Sequence, residues 1–137
     1  MPVIHFHLVE GQYDDAQCEK LLVRATEIYC RVLNSPISRV RAFIKFYRPE
    51  WVAAAGRRVS QGGEAAPYFE FIVLEGRPLE ERQALLHQFS ALVAEVLAVD
   101  LGVVRGACWP VPPEDWAIGG VPASQLRRAE IDARRKI

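Results

Sequence analysis

Residues 2–11 read PVIHFHLVEG and residues 67–76 read PYFEFIVLEG, so that each stretch begins with proline and ends with Glu-Gly. Both are rich in β-branched and aromatic residues and stop at a glycine, which is typical of a β-strand. The two stretches lie 65 positions apart (67 minus 2). A spacing of this size indicates a duplicated supersecondary unit, and the duplication decides the fold.

The repeat continues after the strands with its spacing shortened by one residue. Leu21, Leu22, Ala25, Ile28, Val32 and Leu33 recur 64 positions later as Leu85, Leu86, Phe89, Leu92, Val96 and Leu97. This is the i, i+3, i+4, i+7 stripe of an amphipathic helix. Second strands are predicted over 39–47 and 103–109, and 49–66 is predicted to be the joining loop. We therefore predict a single domain over 1–137, made of two fused β-α-β units at about 2–56 and 67–128.

The strands within each unit are separated by a whole helix, so each pair should be parallel. The predicted fold class is α/β (α+β): a duplicated β-α-β unit that forms a four-stranded mixed sheet with two helices on one face. The opposite face carries Phe43, Tyr47 and Trp109. We expect other subunits to cover it.

The charge balance argues against two classes of partner, nucleic acids and anionic membranes. Seventeen Lys and Arg residues balance seventeen Asp and Glu residues, which argues against nucleic acid or an anionic membrane as the main partner. Three cysteines and no apolar leader predict a cytoplasmic protein. The basic residues between Arg127 and Lys136 are interpreted as a solvated tail. His5 and His7 share a strand face but have no third ligand at a recognisable spacing, so no metal site is predicted.

The second copy carries a specific series of short motifs. They are Glu75-Gly76-Arg77, Val104-Arg105, Trp116-Ala117-Ile118-Gly119-Gly120 and Ala123-Ser124-Gln125-Leu126-Arg127-Arg128. In order and spacing they resemble the tautomerase superfamily, specifically a fused 4-oxalocrotonate tautomerase-like protein. The first copy keeps Pro2, Glu10-Gly11 and Val40-Arg41, but Gln12 stands where arginine is usual and Ala53-Ala54-Ala55-Gly56 replaces the Ile-Gly-Gly turn.

The resemblance implies a tautomerase/MIF-like fold and an isomerase that acts on small unsaturated 2-oxo or 2-hydroxy carboxylates. It implies Pro2 as the catalytic base once Met1 is removed, no cofactor, and a homotrimer of fused chains. It also implies that Arg77, Arg105 and Arg41 hold the substrate carboxylate and that Trp116 forms an apolar wall. Pro67 stands where a second catalytic proline would be, but its nitrogen is an internal tertiary amide. Each chain should therefore hold one amine site.

Elementary chemistry supports these roles. An apolar pocket and nearby guanidinium groups both disfavour a protonated amine, which lowers its pKa and makes it a base at neutral pH. The planar fork of arginine pairs bidentately with a carboxylate. Other interpretations stay open: Arg41 and Arg105 as interface ion pairs, Arg77 as a loop cap, and Trp51 and Trp116 as interface packing.

The alternatives are a hydratase, dehalogenase or decarboxylase on the same scaffold, or a trimeric member that binds a ligand without turnover because Met1 blocks Pro2. The cis-3-chloroacrylate type of enzyme should show a second arginine at Leu74 and a helical histidine at Tyr29. Tyr29 is nevertheless a candidate hydrogen-bond donor to the substrate, with core packing as its other interpretation. A decarboxylase should have aspartate near Arg39, although its Asp-Trp pair resembles Asp115-Trp116. Glu114, Asp115 and Glu50 are the candidate water activators.

Overall fold

The structure is a computed structural model that describes residues 2–135. Its two halves repeat element for element. The first half contains β1 (Val3–Val9), α1 (Asp15–Leu33), β2 (Arg41–Tyr47) and the small hairpin β3 (Ala53–Ala54) and β4 (Arg57–Arg58). The second half contains β5 (Tyr68–Leu74), α2 (Leu79–Leu97), β6 (Arg105–Val111) and the hairpin β7 (Ala117–Ile118) and β8 (Val121–Pro122). Two further helices, α3 (Ala123–Leu126) and α4 (Arg128–Arg135), extend the second half.

The main sheet has the order β2-β1-β5-β6. β1 and β2 are parallel, β5 and β6 are parallel, and the central pair β1 and β5 is antiparallel. The four-stranded mixed sheet is confirmed. Because Val3 pairs with both Arg41 and Ile72, the starts of β1 and β2 lie at the same end of the sheet as the end of β5.

The core lies between the sheet and the two long helices. Phe6, Phe69, Phe71, Phe89 and Tyr29 are its largest fully buried side chains. Gly106 in β6 lies beneath the Phe69 ring: a Cβ atom at this position would overlap the ring at Cζ. The bare backbone there makes room for the aromatic core.

The predicted boundaries need local corrections. Single 3₁₀ turns occupy Ile37–Arg39 and Leu101–Val103, so the second strands begin two residues later than predicted. β6 also runs through Pro110, which is compatible with an edge strand because proline removes only an outward-facing donor. The predicted joining loop contains the hairpin of β3 and β4. Alternation along 39–47 predicts that Phe46 faces the helices with Ala42 and Ile44, but Phe46 is 44% exposed.

The outer face of the sheet carries a hydrogen-bonded polar group among exposed aromatics. His7 Nδ1 lies 2.6 Å from Tyr47 Oη, and His7 Nε2 lies 3.1 Å from Glu70 Oε1. Tyr68 and Trp109 also donate to Glu70. Burial alone would raise the pKa of the Glu70 carboxyl, but the hydrogen bonds that it accepts lower the pKa overall. Phe43 and Trp109 remain half exposed on this face, as the prediction of an uncovered face requires.

Among residues 2–135, no helix is both long and apolar enough to cross a membrane.

Candidate functional site

Pro2 is buried at the start of β1. Its carbonyl accepts a hydrogen bond from the backbone N–H of Arg41 at 3.0 Å, which ties it to the start of β2. Its ring lines a cavity whose apolar lining comes from Leu33, Val73 and Leu74. The sheet and the end of α1 thus enclose Pro2 on its apolar side.

The polar lining of the same cavity holds four arginines from four parts of the chain. Arg39 ends the 3₁₀ turn before β2, Arg77 follows β5, and Arg127 and Arg134 come from the C-terminal segment. Glu130 is the acidic residue that lines it. If these five side chains are ionised, they give a charge of about +3 beside Pro2. This excess of positive charge favours an anion at the cavity.

The cavity at Pro2 has a volume of about 20 Å³, close to the space that one water molecule needs. It adjoins an outer cavity of about 560 Å³, a volume in the range of small-molecule sites. The two share six lining residues: Leu33, Ser35, Arg39, Arg77, Glu130 and Arg134. Arg39, Arg77 and Arg134 line both cavities and therefore lie between the outer cavity and Pro2.

Arg77 is held by the end of α1 and by the first turn of α2, which begins two residues after it. Its Nη1 donates to the Leu33 carbonyl at 3.0 Å and to Glu81 Oε1 at 3.2 Å. Cations are favoured near the C-terminus of a helix, where carbonyls are left without partners. Arg77 therefore caps α1 and lines the Pro2 cavity, so the two interpretations of this residue are compatible.

Arg39 and Glu130 form a bidentate ion pair, with distances of 2.9 Å and 2.8 Å between the guanidinium nitrogens and the carboxylate oxygens. The hydrogen bonds from Arg39 hold the pKa of the Glu130 carboxyl below its usual value. Burial, followed by the charge of Arg77, lowers the pKa of Arg134. Both shifts reflect a partly desolvated cluster with more cations than anions.

The C-terminal segment was predicted to be a solvated tail, and this prediction is wrong. Ile131 packs with Leu74 and Ala123, which seats α4 against the second half. Arg127, Glu130, Ile131 and Arg134 follow i, i+3, i+4, i+7 spacing. The last three share one face of α4, and Arg127 directly precedes this helix, where its carbonyl accepts from the Ile131 N–H at 3.0 Å. This spacing is the signal that could have found these site residues in the sequence. Lys136, at the end of the predicted tail, lies outside the described residues.

Arg127 contributes an unsatisfied donor. Within 2–135, its Nε is the one buried side-chain nitrogen or oxygen that has no hydrogen-bond partner. A buried donor without an acceptor is costly, so such groups usually mark a place where a ligand or water binds.

Arg41 and Trp116 lie in an adjoining cleft of about 410 Å³. Arg39 and Arg127 line both this cleft and the Pro2 cavity. Arg41 Nη1 donates to the carbonyls of Ser38 and Val40, which directs its guanidinium back toward the strand start. The structure thus brings these two predicted site residues to the same end of the sheet as Pro2.

Two predicted substrate-binding residues do not join them. Arg105 pairs with Tyr68 at the start of β5, which is the opposite end of the sheet from Pro2. Within one chain it adjoins Pro67, whose carbonyl accepts from its backbone N–H at 3.2 Å. Tyr29 is fully buried, and its hydroxyl points at the carbonyls of Ile72 (2.9 Å) and Val3 (3.1 Å). Tyr29 is therefore a core residue and not part of the substrate site.

The duplication provides an internal comparison. The positions that correspond to Arg39, Arg77 and Arg127 in the copy around Pro67 are Val103, Gln12 and Gly63. Pro67 is buried like Pro2, but the three arginine positions around it carry no cation. Arginine at these three positions is therefore confined to the surroundings of Pro2, although Arg105 adjoins Pro67.

The other candidate residues lie elsewhere. His5 stacks on Phe43 and His7 bonds to Tyr47 and Glu70, and in the described part of the chain no three His, Cys, Asp or Glu side chains cluster as metal ligands would. Glu50 pairs with Arg48 at 3.2 Å. Glu114 lines a separate cleft beside Arg128 and Arg135. Asp115 is exposed. None of these three acids lines the Pro2 cavity.

Comparison with known proteins adds independent evidence. A family model described as "Tautomerase enzyme" matches residues 2–62, which is the copy that begins with Pro2. The 2-hydroxymuconate tautomerase of Pseudomonas sp. (strain CF600) is 36% identical over 62 residues, which cover 45% of this chain and 98% of that protein. A crystal structure described as native fused 4-OT is 28% identical, has a TM-score of 0.86, and covers 92% of this chain and 99% of its own.

A structure described as a fused 4-OT wild-type symmetric trimer is 22% identical, with a TM-score of 0.82 and coverage of 90% of this chain and 98% of its own. At this identity the likeness concerns the fold.

Proposed function

Because the chain belongs to the tautomerase family, we propose that it is a cofactor-independent isomerase of small unsaturated 2-oxo or 2-hydroxy carboxylates, with Pro2 as its general base. The observation that carries the proposal is the burial of Pro2 in a cavity walled by four arginines. Met1 lies outside the described residues, and the proposal requires its removal, because only then is the Pro2 nitrogen a secondary amine.

In the proposed reaction, the Pro2 nitrogen takes the proton of an enol hydroxyl and returns it to a carbon of the conjugated chain. Nothing is added or lost, so no cofactor is needed. The negative charge that develops on the conjugated oxygens is stabilised by guanidinium groups that are already in place. The same positive charge, together with burial, favours the neutral form of the amine.

The positions of the acidic residues support isomerisation over water addition. A hydratase or dehalogenase needs a group that activates water, and Glu50, Glu114 and Asp115 all lie away from the Pro2 cavity. Of these four acids Glu130 alone lines the cavity, where Arg39 engages both of its carboxylate oxygens, so its position does not separate the two reactions. Position 39 also carries a cation where a decarboxylase was expected to carry aspartate.

We further propose that the chain assembles as a homotrimer through the outer sheet face, on which Phe43 and Trp109 are 49% and 54% exposed. In a trimer, Arg105 of one chain could reach the site of another, which would give a role to a residue that lies far from its own Pro2.

The first prediction concerns the base. Pro2→Ala should lower kcat/KM for 2-hydroxymuconate or phenylenolpyruvate by about 100-fold or more, because a primary amine differs in basicity and position. Pro67→Ala is the matched control and should leave the rate within about twofold, since its nitrogen is an amide. Intact mass of each sample must first show that Met1 is absent. Full activity of Pro2→Ala would exclude Pro2 as the base.

The second prediction concerns Arg77, which is 14% exposed beside Pro2. Arg77→Ala should cost about 2 to 5 kcal/mol of transition-state stabilisation, measured from kcat/KM, because it leaves the carboxylate of the bound substrate unpaired. Arg24, whose pair with Glu95 lies on the surface, is the control, and Arg24→Ala should cost under about 1 kcal/mol. Arg41→Ala and Arg105→Ala should fall between them. Equal effects of Arg77→Ala and Arg24→Ala would remove Arg77 from the site.

The third prediction concerns assembly. Light scattering at micromolar concentration should give about 46 kDa, three times the 15.4 kDa of one chain. Lys or Glu in place of Trp109 should shift the mass toward the monomer, because a charge would be buried in the interface. A wild-type monomer would contradict the proposal.

A further inference from the structure

We propose that Arg39 is a carboxylate-binding residue of the site and that Glu130 occupies its binding position until substrate displaces it. The inference rests on the proposed function, and it adds both a binding residue and an internal competitor to the site. Its basis is the position and geometry of one ion pair.

The geometry of the pair is that of carboxylate recognition. The two terminal nitrogens of Arg39 each meet one oxygen of Glu130, at 2.9 Å and 2.8 Å. This parallel, bidentate arrangement is the one in which arginine binds a free carboxylate. The Glu130 carboxylate therefore has the position and orientation that a substrate carboxylate would take on Arg39.

The pair also lies where substrate must pass. Arg39 and Glu130 line both the small cavity at Pro2 and the large outer cavity. The inner cavity, at about 20 Å³, has room for about one water molecule. A conjugated acid that brings its reacting carbon to Pro2 needs more space than this. Movement of Glu130 would open that space and would release the two Arg39 nitrogens that now donate to Glu130, so that they could donate to the incoming anion.

Exchange of one carboxylate for another is energetically easy. The side chains of Arg39 and Glu130 are 23% and 43% exposed, so the pair is partly hydrated and water can solvate Glu130 when it moves. A substrate carboxylate would restore the two hydrogen bonds that Glu130 gives up, and the displaced Glu130 would return to water. The pKa of Glu130, which is lowered first by its hydrogen bonds from Arg39 and also by the charges of Arg127 and Arg134, keeps the competitor ionised at neutral pH.

The duplication is consistent with a role at the functional site alone. Val103 replaces Arg39 beside Pro67, where no free amine can form. The backbone around the two positions is nevertheless alike, because each ends a 3₁₀ turn that leads into a strand. The fold therefore does not require arginine at this position.

The test uses Glu130→Gln and Arg39→Gln, with Asp132→Asn as a control that removes an exposed acid from the same helix. The ligand is trans,trans-muconate, an unsaturated dicarboxylate without a hydroxyl to ketonise, and its Kd is measured by calorimetry on the full chain. Glu130→Gln should tighten binding about 2- to 10-fold, since it removes the carboxylate that competes with muconate for Arg39. Arg39→Gln should weaken binding about 10-fold or more, and Asp132→Asn should change it less than twofold.

A double variant separates direct competition from the general loss of a negative charge. If Glu130 competes for Arg39, Glu130→Gln should give no gain in the Arg39→Gln background, and the two effects should be non-additive. An equal gain in both backgrounds would overturn the proposal, as would weaker binding by Glu130→Gln alone. Structural damage to α4 would weaken binding and not tighten it, and thermal unfolding of each variant checks for such damage directly.

The outcome stays distinct from that of the proposed function. If the wild type turns over no enol acid but the muconate affinities follow this pattern, the proposed reaction is wrong and Arg39 remains a carboxylate site. If the wild type is an active tautomerase and Glu130→Gln neither tightens muconate binding nor lowers KM, the competition is wrong and the reaction stands.

Discussion

Mutual repulsion among the guanidinium groups around a buried proline is the interaction on which the rest of the site depends. Arg39, Arg77, Arg127 and Arg134 line one small cavity, and Glu130 is the acid that offsets them there. Such a cluster is unfavourable unless an anion joins it or the surrounding structure holds it. Here the end of α1, Glu81 and Glu130 hold individual members, and burial, followed by the charge of Arg77, lowers the pKa of Arg134. The excess of positive charge favours a bound carboxylate and an uncharged amine.

The fold meets this requirement by drawing the cations from distant parts of the chain. The antiparallel contact between β1 and β5 places the start of the first copy beside the end of a strand in the second. Arg77 and Pro2 therefore meet although they are far apart in sequence. The positions that correspond to Arg77, Arg39 and Arg127 in the copy around Pro67 are Gln12, Val103 and Gly63. The duplicated scaffold thus has two equivalent places, of which one carries arginine at these three positions.

The fold was predictable to a large extent because its signals are local and repeated. Alternating strands, an amphipathic stripe and the repeat spacing specify the β-α-β unit, and the observed elements follow it, with 65 residues between the first strands and 64 from the helices onward. The missed details have physical reasons. The edge position of β6 allows Pro110 within a strand, and 3₁₀ turns delay the second strands.

The site was less predictable, because it depends on contacts between distant residues. Short motifs predict Arg77 and Pro2, but at Arg39 the sequence offers only a comparison with the aspartate of a decarboxylase. The density of basic residues near the C-terminus favours a solvated tail for Arg127 and Arg134, whereas their helical spacing favours a packed segment. Tyr29 looked available on an apolar helix face, whereas β1 and β5 provide the backbone carbonyls that its hydroxyl contacts. Each error concerned where an element docks.

The central claim is that Pro2 carries a free amine whose surroundings lower its pKa and so keep it unprotonated at neutral pH. The most direct test is ¹⁵N NMR of protein labelled at proline. The account predicts that the Pro2 nitrogen titrates with a pKa below the value of about 7.7 to 8.0 of an ordinary α-amino group. The same pKa should govern the acidic limb of kcat/KM for an enol acid. A Pro2 nitrogen that does not titrate, or that titrates at or above about 8, would contradict the account.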